Sequence, residues 1–118
     1  MSAAAEVYIS VDTPQKETRE KIEVAIDQTL RGMGFDISAN DRYNIGRYDS
    51  GIIVEAKSYS VPWEIFEKEW AEKLVRELHA IDEASDVELY VYNLDREADV
   101  SVLTRDLFSE SYAEKAHA

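Results

Sequence analysis

Apolar and polar residues alternate near the start of the chain. Between Glu6 and Asp12 every second residue is a branched aliphatic one: Val7, Ile9 and Val11. A period of two is the spacing of a strand that buries one face and exposes the other. The segment is therefore predicted to be a half-buried β-strand.

Helical spacing follows this strand directly. Asp12, Thr13 and Pro14 supply a cap and a first-turn proline, and Gly32 and Gly34 end the pattern. In between, apolar residues recur at helical spacing: Ile22, Ile26, Leu30 and Met33. The pattern predicts a helix from about residue 14 to residue 33.

The middle of the chain predicts a hairpin and a second helix. A polar stretch and the turn Asp49-Ser50-Gly51 precede an alternating segment, Ile52 to Ser60, as in a β-hairpin. A helix is then predicted to open at Ser60 and Pro62, because a broad apolar stripe follows at helical spacing. The stripe consists of Trp63, Phe66, Trp70, Leu74, Leu78 and Ile81. Alternation returns at Val87, Leu89 and Val91, which predicts the last clear strand.

Beyond Leu94 the apolar residues fit both the two-residue period of a strand and the spacing of a helix. Ala98, Val100 and Val102 alternate, whereas Val100, Leu103 and Leu107 have helical spacing. We expect an irregular piece followed by a short helix near residues 103 to 114. Residues 95–118 would then form a C-terminal extension of one domain that spans residues 1–118, since a chain of this length has room for a single core.

The predicted order is β-α-β-β-α-β, which is typical of the ferredoxin-like sandwich, an α+β fold with two helices on one face of a four-stranded antiparallel sheet. The face without helices would carry Tyr8, Ile53, Tyr59, Tyr90 and Tyr92. An uncovered aromatic face marks either a contact surface or a surface that the chain's own end covers. In the second case, apolar residues of the extension would fold back over this face: Leu103, Leu107, Phe108 and Tyr112.

Charge narrows the classes of partner. The chain has 13 basic and 25 acidic residues, a net charge of -12. Such a surface repels phosphate backbones and anionic lipid headgroups, so direct contact with nucleic acid or membrane is not expected. The sequence has no cysteine and no pattern of a secretory leader, which makes the cytoplasm the expected compartment. A high-salt cytoplasm is an alternative explanation of the acidity.

The acids concentrate in the second half of the chain, above all between Asp82 and Asp99. We expect one end of the molecule to be strongly negative and to attract a basic protein. The residues expected to contact this partner are Tyr8, Tyr59, Tyr90, Tyr92, Glu88, Asp95, Glu97 and Asp99. The alternative is that these carboxylates form a solvated rim that keeps the protein soluble.

Arg-Tyr occurs twice within a short distance, at Arg42-Tyr43 and at Arg47-Tyr48. Their odd spacing puts the two arginines on opposite faces of a regular strand. A β-bulge at Gly46 would bring both guanidinium groups to one side, where they could bind a carboxylate or phosphate. Without the bulge, both arginines are expected to pair with surface acids.

No pattern of catalytic or cofactor-binding residues is present, so we expect no catalytic residue, no metal and no cofactor. His79 and His117 have no Ser, Cys or His partner at a recognisable spacing, and no Gly-rich phosphate loop occurs. The expected function is a non-catalytic, acidic protein-binding module. It would resemble an inhibitor or immunity protein that occludes a basic, nucleic-acid-binding partner. The alternative is a homodimeric regulatory or small-anion-binding module that uses the tyrosine-rich face.

Overall fold

The computed structural model describes residues 3–13, 15–35, 42–95 and 99–108. These ranges contain β1 (Ala3–Asp12), α1 (Lys16–Gly32), β2 (Arg42–Tyr48), β3 (Gly51–Val61), α2 (Lys68–Ile81), β4 (Asp86–Asn93), β5 (Asp99–Leu103) and α3 (Thr104–Leu107). The strands form one antiparallel sheet in the order β2-β3-β1-β4-β5. The predicted α+β class is confirmed. No helix in the described ranges is long and apolar enough to cross a membrane.

The central strand β1 organises the core. Its alternate residues Val7, Ile9 and Val11 are fully buried, and Ile9 lies between Val54 of β3 and Leu89 of β4. Both long helices pack on this face of the sheet. They contribute Ile22, Ile26 and Leu30 from α1 and Ala71, Leu74, Val75 and Leu78 from α2 to one apolar cluster.

The prediction of four strands was wrong, because a fifth strand forms where an irregular piece was expected. In β5, Val102 is buried opposite Leu89 of β4, while Asp99 and Ser101 are exposed. The two-residue period prevailed over the helical one, since only an extended segment directs Val102 to the core and its neighbours to solvent. The short helix begins near its predicted start, as α3, and residues 109–114 lie outside the described ranges.

The predicted second helix is interrupted. A 3₁₀ turn at Trp63–Phe66 is followed by Glu67 in an extended conformation, and only then does α2 begin. In a continuous helix, Ile65 would lie about half a turn out of phase with Leu74. The break changes the phase and lets both side chains face the core. Trp63, which the predicted stripe placed in the core, is instead 36% exposed.

Helix α1 ends at a glycine that needs a left-handed backbone. The N–H of Gly34 donates to the carbonyl of Arg31, and the N–H of Phe35 donates to that of Leu30. This pair of bonds is the Schellman motif. Gly34 has φ 96°, and a Cβ atom there would lie 2.8 Å from the carbonyl oxygen of Ser60. The motif turns Phe35 into the core, where it is fully buried.

Gly34→Ala is expected to lower the free energy of unfolding by about 1 to 3 kcal/mol, because alanine adds both backbone strain and a steric clash. Denaturation by urea measures the change. Gly32→Ala is the matched control, since a Cβ atom there meets nothing within 4 Å. The control should be neutral or up to about 1 kcal/mol more stable. Equal stability of both variants would contradict the assignment of Gly34 as the helix terminator.

Candidate functional site

The sheet face opposite α1 and α2, called the open face here, carries no described helix. The strand registers align its side chains in rows across the sheet. One row consists of Arg42, Lys57, Glu6, Tyr92 and Asp99, and the next of Asn44, Glu55, Tyr8, Tyr90 and Ser101. The open face is therefore a mixed surface with aromatic residues on its central strands.

Three of the four predicted tyrosines form one cluster, called the tyrosine ladder. The ring centroids of Tyr8 and Tyr90, on adjacent strands, are 6.0 Å apart with planes tilted by 50°. Tyr90 and Tyr92, along β4, are 6.4 Å apart and nearly parallel at 7°. Tyr92 is 37% exposed, while Tyr8 and Tyr90 are half-buried. Tyr59 is exposed on β3, where the Lys57 ammonium lies 5.3 Å from its ring centroid.

Carboxylates surround the tyrosine ladder. Tyr92 lies between Glu6 of β1 and Asp99 of β5 in the register. The Tyr90 hydroxyl donates a long hydrogen bond of 3.4 Å to Glu88. The pKa of Tyr90 is raised, first by partial removal of the phenol from water and then by the negative charge of Glu88. The charge of Arg105 lowers the pKa of Tyr90, against these effects, so the ladder has charges of both signs near its Tyr90 end.

The basic side chains of the open face are confined to one side of it. Arg42 and Lys57 lie on the neighbouring strands β2 and β3, where the exposed Glu55 of β3 faces the same way. The strands on the other side of β1 contribute Glu88 and Asp99 to the face. A ligand that covers the whole face would thus meet charges of both signs on the β2 side and carboxylates on the β5 side.

The acidic segment from Asp82 to Asp99 does not form one negative end, contrary to expectation. Asp82 precedes β4 and Asp95 follows it, so the length of an eight-residue strand separates them. Asp86 accepts a hydrogen bond from Thr104 at 2.6 Å, and Asp95 accepts one from the N–H of Ala4 at 3.0 Å. These two carboxylates stabilise the fold. The predicted contact residue Glu97 lies outside the described residues.

The two arginines do not form the joint anion site that a bulge would have produced. The register of β2 with β3 is continuous through Gly46, so Arg42 and Arg47 lie on opposite faces. Arg42 is beside Lys57 on the open face. Arg47 lies on the helix side and pairs with Glu23 of α1. The anion-binding candidate, which required a bulge at Gly46, is therefore not formed, and Arg47 pairs with a surface acid as the alternative expected.

The described part of the extension does not cover the tyrosine ladder. Leu107 packs against the core on the helix side, and the Phe108 ring stacks on the His79 ring of α2 at 4.0 Å and 20°. Of the residues proposed to cover the face, Leu103 is at its β5 edge, opposite Glu88. Tyr112 lies outside the described residues.

A buried polar cluster, which sequence reasoning missed, joins the start of α1 to the end of α2. The Thr13 and Thr18 hydroxyls contact one oxygen of Asp82 at 2.7 and 2.9 Å. The N–H of Ala84 donates to the other oxygen at 3.0 Å. The hydrogen bond from Thr13 lowers the pKa of Asp82 against the opposing effect of desolvation, and Thr18 and Ala84 lower it further. Thr13, predicted as a helix cap, therefore serves a long-range contact instead.

Asp82→Asn is expected to destabilise the protein by about 1 to 3 kcal/mol at pH 7, because it leaves buried hydroxyl groups with a poorer acceptor. A lowered folded-state pKa contributes stability that is present above the unfolded value of about 3.9. That contribution is lost as the pH falls through the folded-state pKa. The difference between wild type and Asp82→Asn should therefore shrink in urea titrations below about pH 4.

Asp49→Asn provides the control for this pH series, because Asp49 is an exposed aspartate of the β2–β3 turn. It should leave stability at pH 7 within about 0.5 kcal/mol of wild type. A difference between wild type and Asp82→Asn that stays constant from pH 7 to pH 3 would contradict the assigned role of the Asp82 charge.

Metal binding has no support within the described residues, which hold no group of three or more His, Cys, Asp or Glu side chains placed to bind an ion. The arrangement that the structure does bring together is aromatic and acidic.

Comparison with known proteins identifies a fold and no family: no family model and no curated protein matches the chain. A de novo designed protein, Foldit4, is similar with a TM-score of 0.52 and 16% identity, over 76% of this chain and 97% of that one. A phage SAM lyase in complex with S-methyl-5'-thioadenosine has a TM-score of 0.44 and 12% identity, over 86% and 91%. The likeness to Foldit4 shows the α+β fold alone, and the lyase's TM-score carries no argument about this chain.

Proposed function

We propose that the protein is a non-catalytic binding module whose open face docks a basic partner protein. One observation carries the proposal: the tyrosine ladder lies on a sheet face without a described helix and is flanked by carboxylates. Tyrosine is enriched at protein interfaces because its ring gives a large contact area and its hydroxyl a hydrogen bond. The acidic neighbours Glu6, Glu88 and Asp99 favour lysine- and arginine-rich surfaces.

The mechanism that we propose is steric occlusion. A net charge of -12 accelerates the encounter with a basic protein, and the carboxylates orient it. Tyr90 and Tyr92 would lie near the centre of the contact, where a few aromatic side chains supply most of the binding energy. A partner whose basic surface binds nucleic acid would be inhibited by this contact, as in inhibitors and immunity proteins. The compartment proposed for this encounter is the cytoplasm.

We also propose the ferredoxin-like sandwich as the finer description of the fold, extended by one strand. The support is the order β2-β3-β1-β4 within the sheet, together with one helix in each of the two β-α-β connections. Strand β5 is then an addition at the β4 edge.

A homodimer through two open faces is the second candidate, and the position of Arg42 and Lys57 at one side of the face and Asp99 at the other favours it. When two faces meet in opposite orientations, Arg42 and Lys57 of one copy could approach Asp99 of the other. The small-anion version of this candidate has lost its support, because Arg42 and Arg47 lie on opposite faces.

The test compares three immobilised proteins: wild type, the double variant Tyr90→Ala with Tyr92→Ala, and Tyr48→Ala. Tyr48 is the control for loss of an exposed tyrosine ring: it is 56% exposed on the same face, but on β2, three strands away from β4. Bound proteins are captured at about 0.05 and 0.5 M salt, identified by mass spectrometry and then purified for titration. We expect one basic partner in near-stoichiometric amount whose association rate falls with salt.

The double variant should bind the purified partner at least about 30-fold more weakly, as expected for two central aromatic contacts, while Tyr48→Ala should bind like wild type. Equal affinity of all three proteins would refute the proposed face. If wild type instead forms a dimer that only the double variant loses, the homodimer through open faces becomes the better explanation.

A further inference from the structure

Strand β2 is an edge of the sheet, and its outward backbone groups can be assigned. The N–H of Thr13, after β1, donates to the carbonyl of Ser50, just before β3. Backbone N–H and C=O groups alternate in direction along an antiparallel strand. The backbone groups of even-numbered β3 residues therefore point to β1, and those of odd-numbered β3 residues point to β2. Their partners in β2 are the even-numbered residues. The N–H and C=O groups of Tyr43, Ile45 and Arg47 consequently point away from the sheet.

A groove runs beside this edge on the helix side. Its volume is about 550 Å³, and its lining consists of Glu20, Glu23, Val24, Asp27, Gln28, Ile45 and Arg47. Val24 of α1 is 49% exposed, and Ile45 is half-buried. The groove thus has an apolar strip with a rim of both charges. An edge strand with outward backbone groups and a flanking apolar strip can accept another strand.

We propose that a second copy of this chain pairs with the β2 edge, antiparallel and with its two-fold axis at Ile45. The three outward-facing residues are symmetric about that position. Ile45 then faces Ile45 of the second copy, and Tyr43 faces Arg47 in both directions. Each of these is a hydrogen-bonded pair, so every outward N–H and C=O group of the three residues finds a partner.

The charges at this edge fit a second copy better than a uniformly basic or acidic strand. Two ion pairs already lie along this edge on the helix side: Arg47 pairs with Glu23, and Arg31 pairs with Asp27 at 3.0 Å. Arg31 also lies 5.8 Å from the Tyr43 ring, which Arg47 of the second copy would face. Pairing therefore sets the Arg47–Glu23 pair of each copy beside the Arg31–Asp27 pair of the other, so that opposite charges alternate across the contact. Repulsion between the acidic bodies is screened beyond about 8 Å at physiological salt.

The other edge fits less well. Strand β5 has only five residues and is followed directly by α3. The β2 edge also leaves the proposed basic-partner surface free. A two-fold axis perpendicular to the sheet keeps both open faces, and thus both tyrosine ladders, on the same side of the dimer. The inference does not depend on the proposed function.

Cysteine cross-linking tests the axis directly, because the natural chain has no cysteine. In Ile45→Cys the two thiols would occupy one hydrogen-bonded pair, with Cα atoms about 5.5 Å apart, which a disulfide can span. Ser101→Cys, exposed on the β5 edge, is the matched control. At ~10 µM protein, oxidation of Ile45→Cys should be on the order of a hundredfold faster than that of the control, since pairing raises the local thiol concentration to roughly millimolar.

Sedimentation equilibrium supplies the second readout. Wild type should have twice the mass of the chain at ~100 µM. Ile45→Pro should be a folded monomer, because it removes an outward N–H that the β2–β3 ladder does not use; circular dichroism checks its fold. A monomeric wild type, equal cross-linking at both cysteines, or a dimer that survives Ile45→Pro would each overturn the proposal. The double variant Tyr90→Ala with Tyr92→Ala can lose the basic partner and still form this dimer, so the proposed function and the edge pairing can fail separately.

Discussion

Strand β1 is hydrogen-bonded on both sides, and the register of this one strand determines both surfaces of the sheet. Val7, Ile9 and Val11 face the helices, and Glu6, Tyr8 and Ser10 face the other way. A slip of one residue would exchange the two sets and bury a carboxylate in the apolar core, which costs several kcal/mol. The core and the tyrosine ladder are thus two consequences of the same alignment.

The two proposed contacts, with a basic partner and with a second copy, lie in different directions from the sheet. The open face points perpendicular to the sheet, whereas the β2 edge lies in its plane. Strand β5 contributes to this separation because it extends the sheet beyond β4 instead of folding over the tyrosine ladder. One contact uses side chains and the other uses mainly backbone groups. Substitutions can therefore disturb one without the other.

The sequence predicted best where a local pattern and the packing agreed. The alternation around Ile9 and the helical spacing around Ile26 gave the right elements, because each pattern directs one side towards the core. Local periodicity could not predict the phase change at Glu67, which depends on burying Ile65 against the sheet. Strand β5 had the same difficulty: its short alternation becomes decisive only when β4 provides an edge.

The site was predictable to a similar extent. Alternation alone placed Tyr8, Tyr90 and Tyr92 on one face, and the topology then brought them into contact. The role of Asp82 could not be read from its neighbours, because its partners Thr13 and Thr18 are 69 and 64 residues away. The same limit applies to Asp95, which was predicted to contact the basic partner and accepts a hydrogen bond from the backbone N–H of Ala4 in β1.

The stacking of Phe108 on His79 has a practical consequence for attaching the protein to a surface. The chain leaves its described part beside α2, on the helix side of the sheet. A tether joined directly to Phe108 would therefore start on the helix side of the sheet. A sensor chip or bead loaded in this way would present the opposite side of the molecule to the solution.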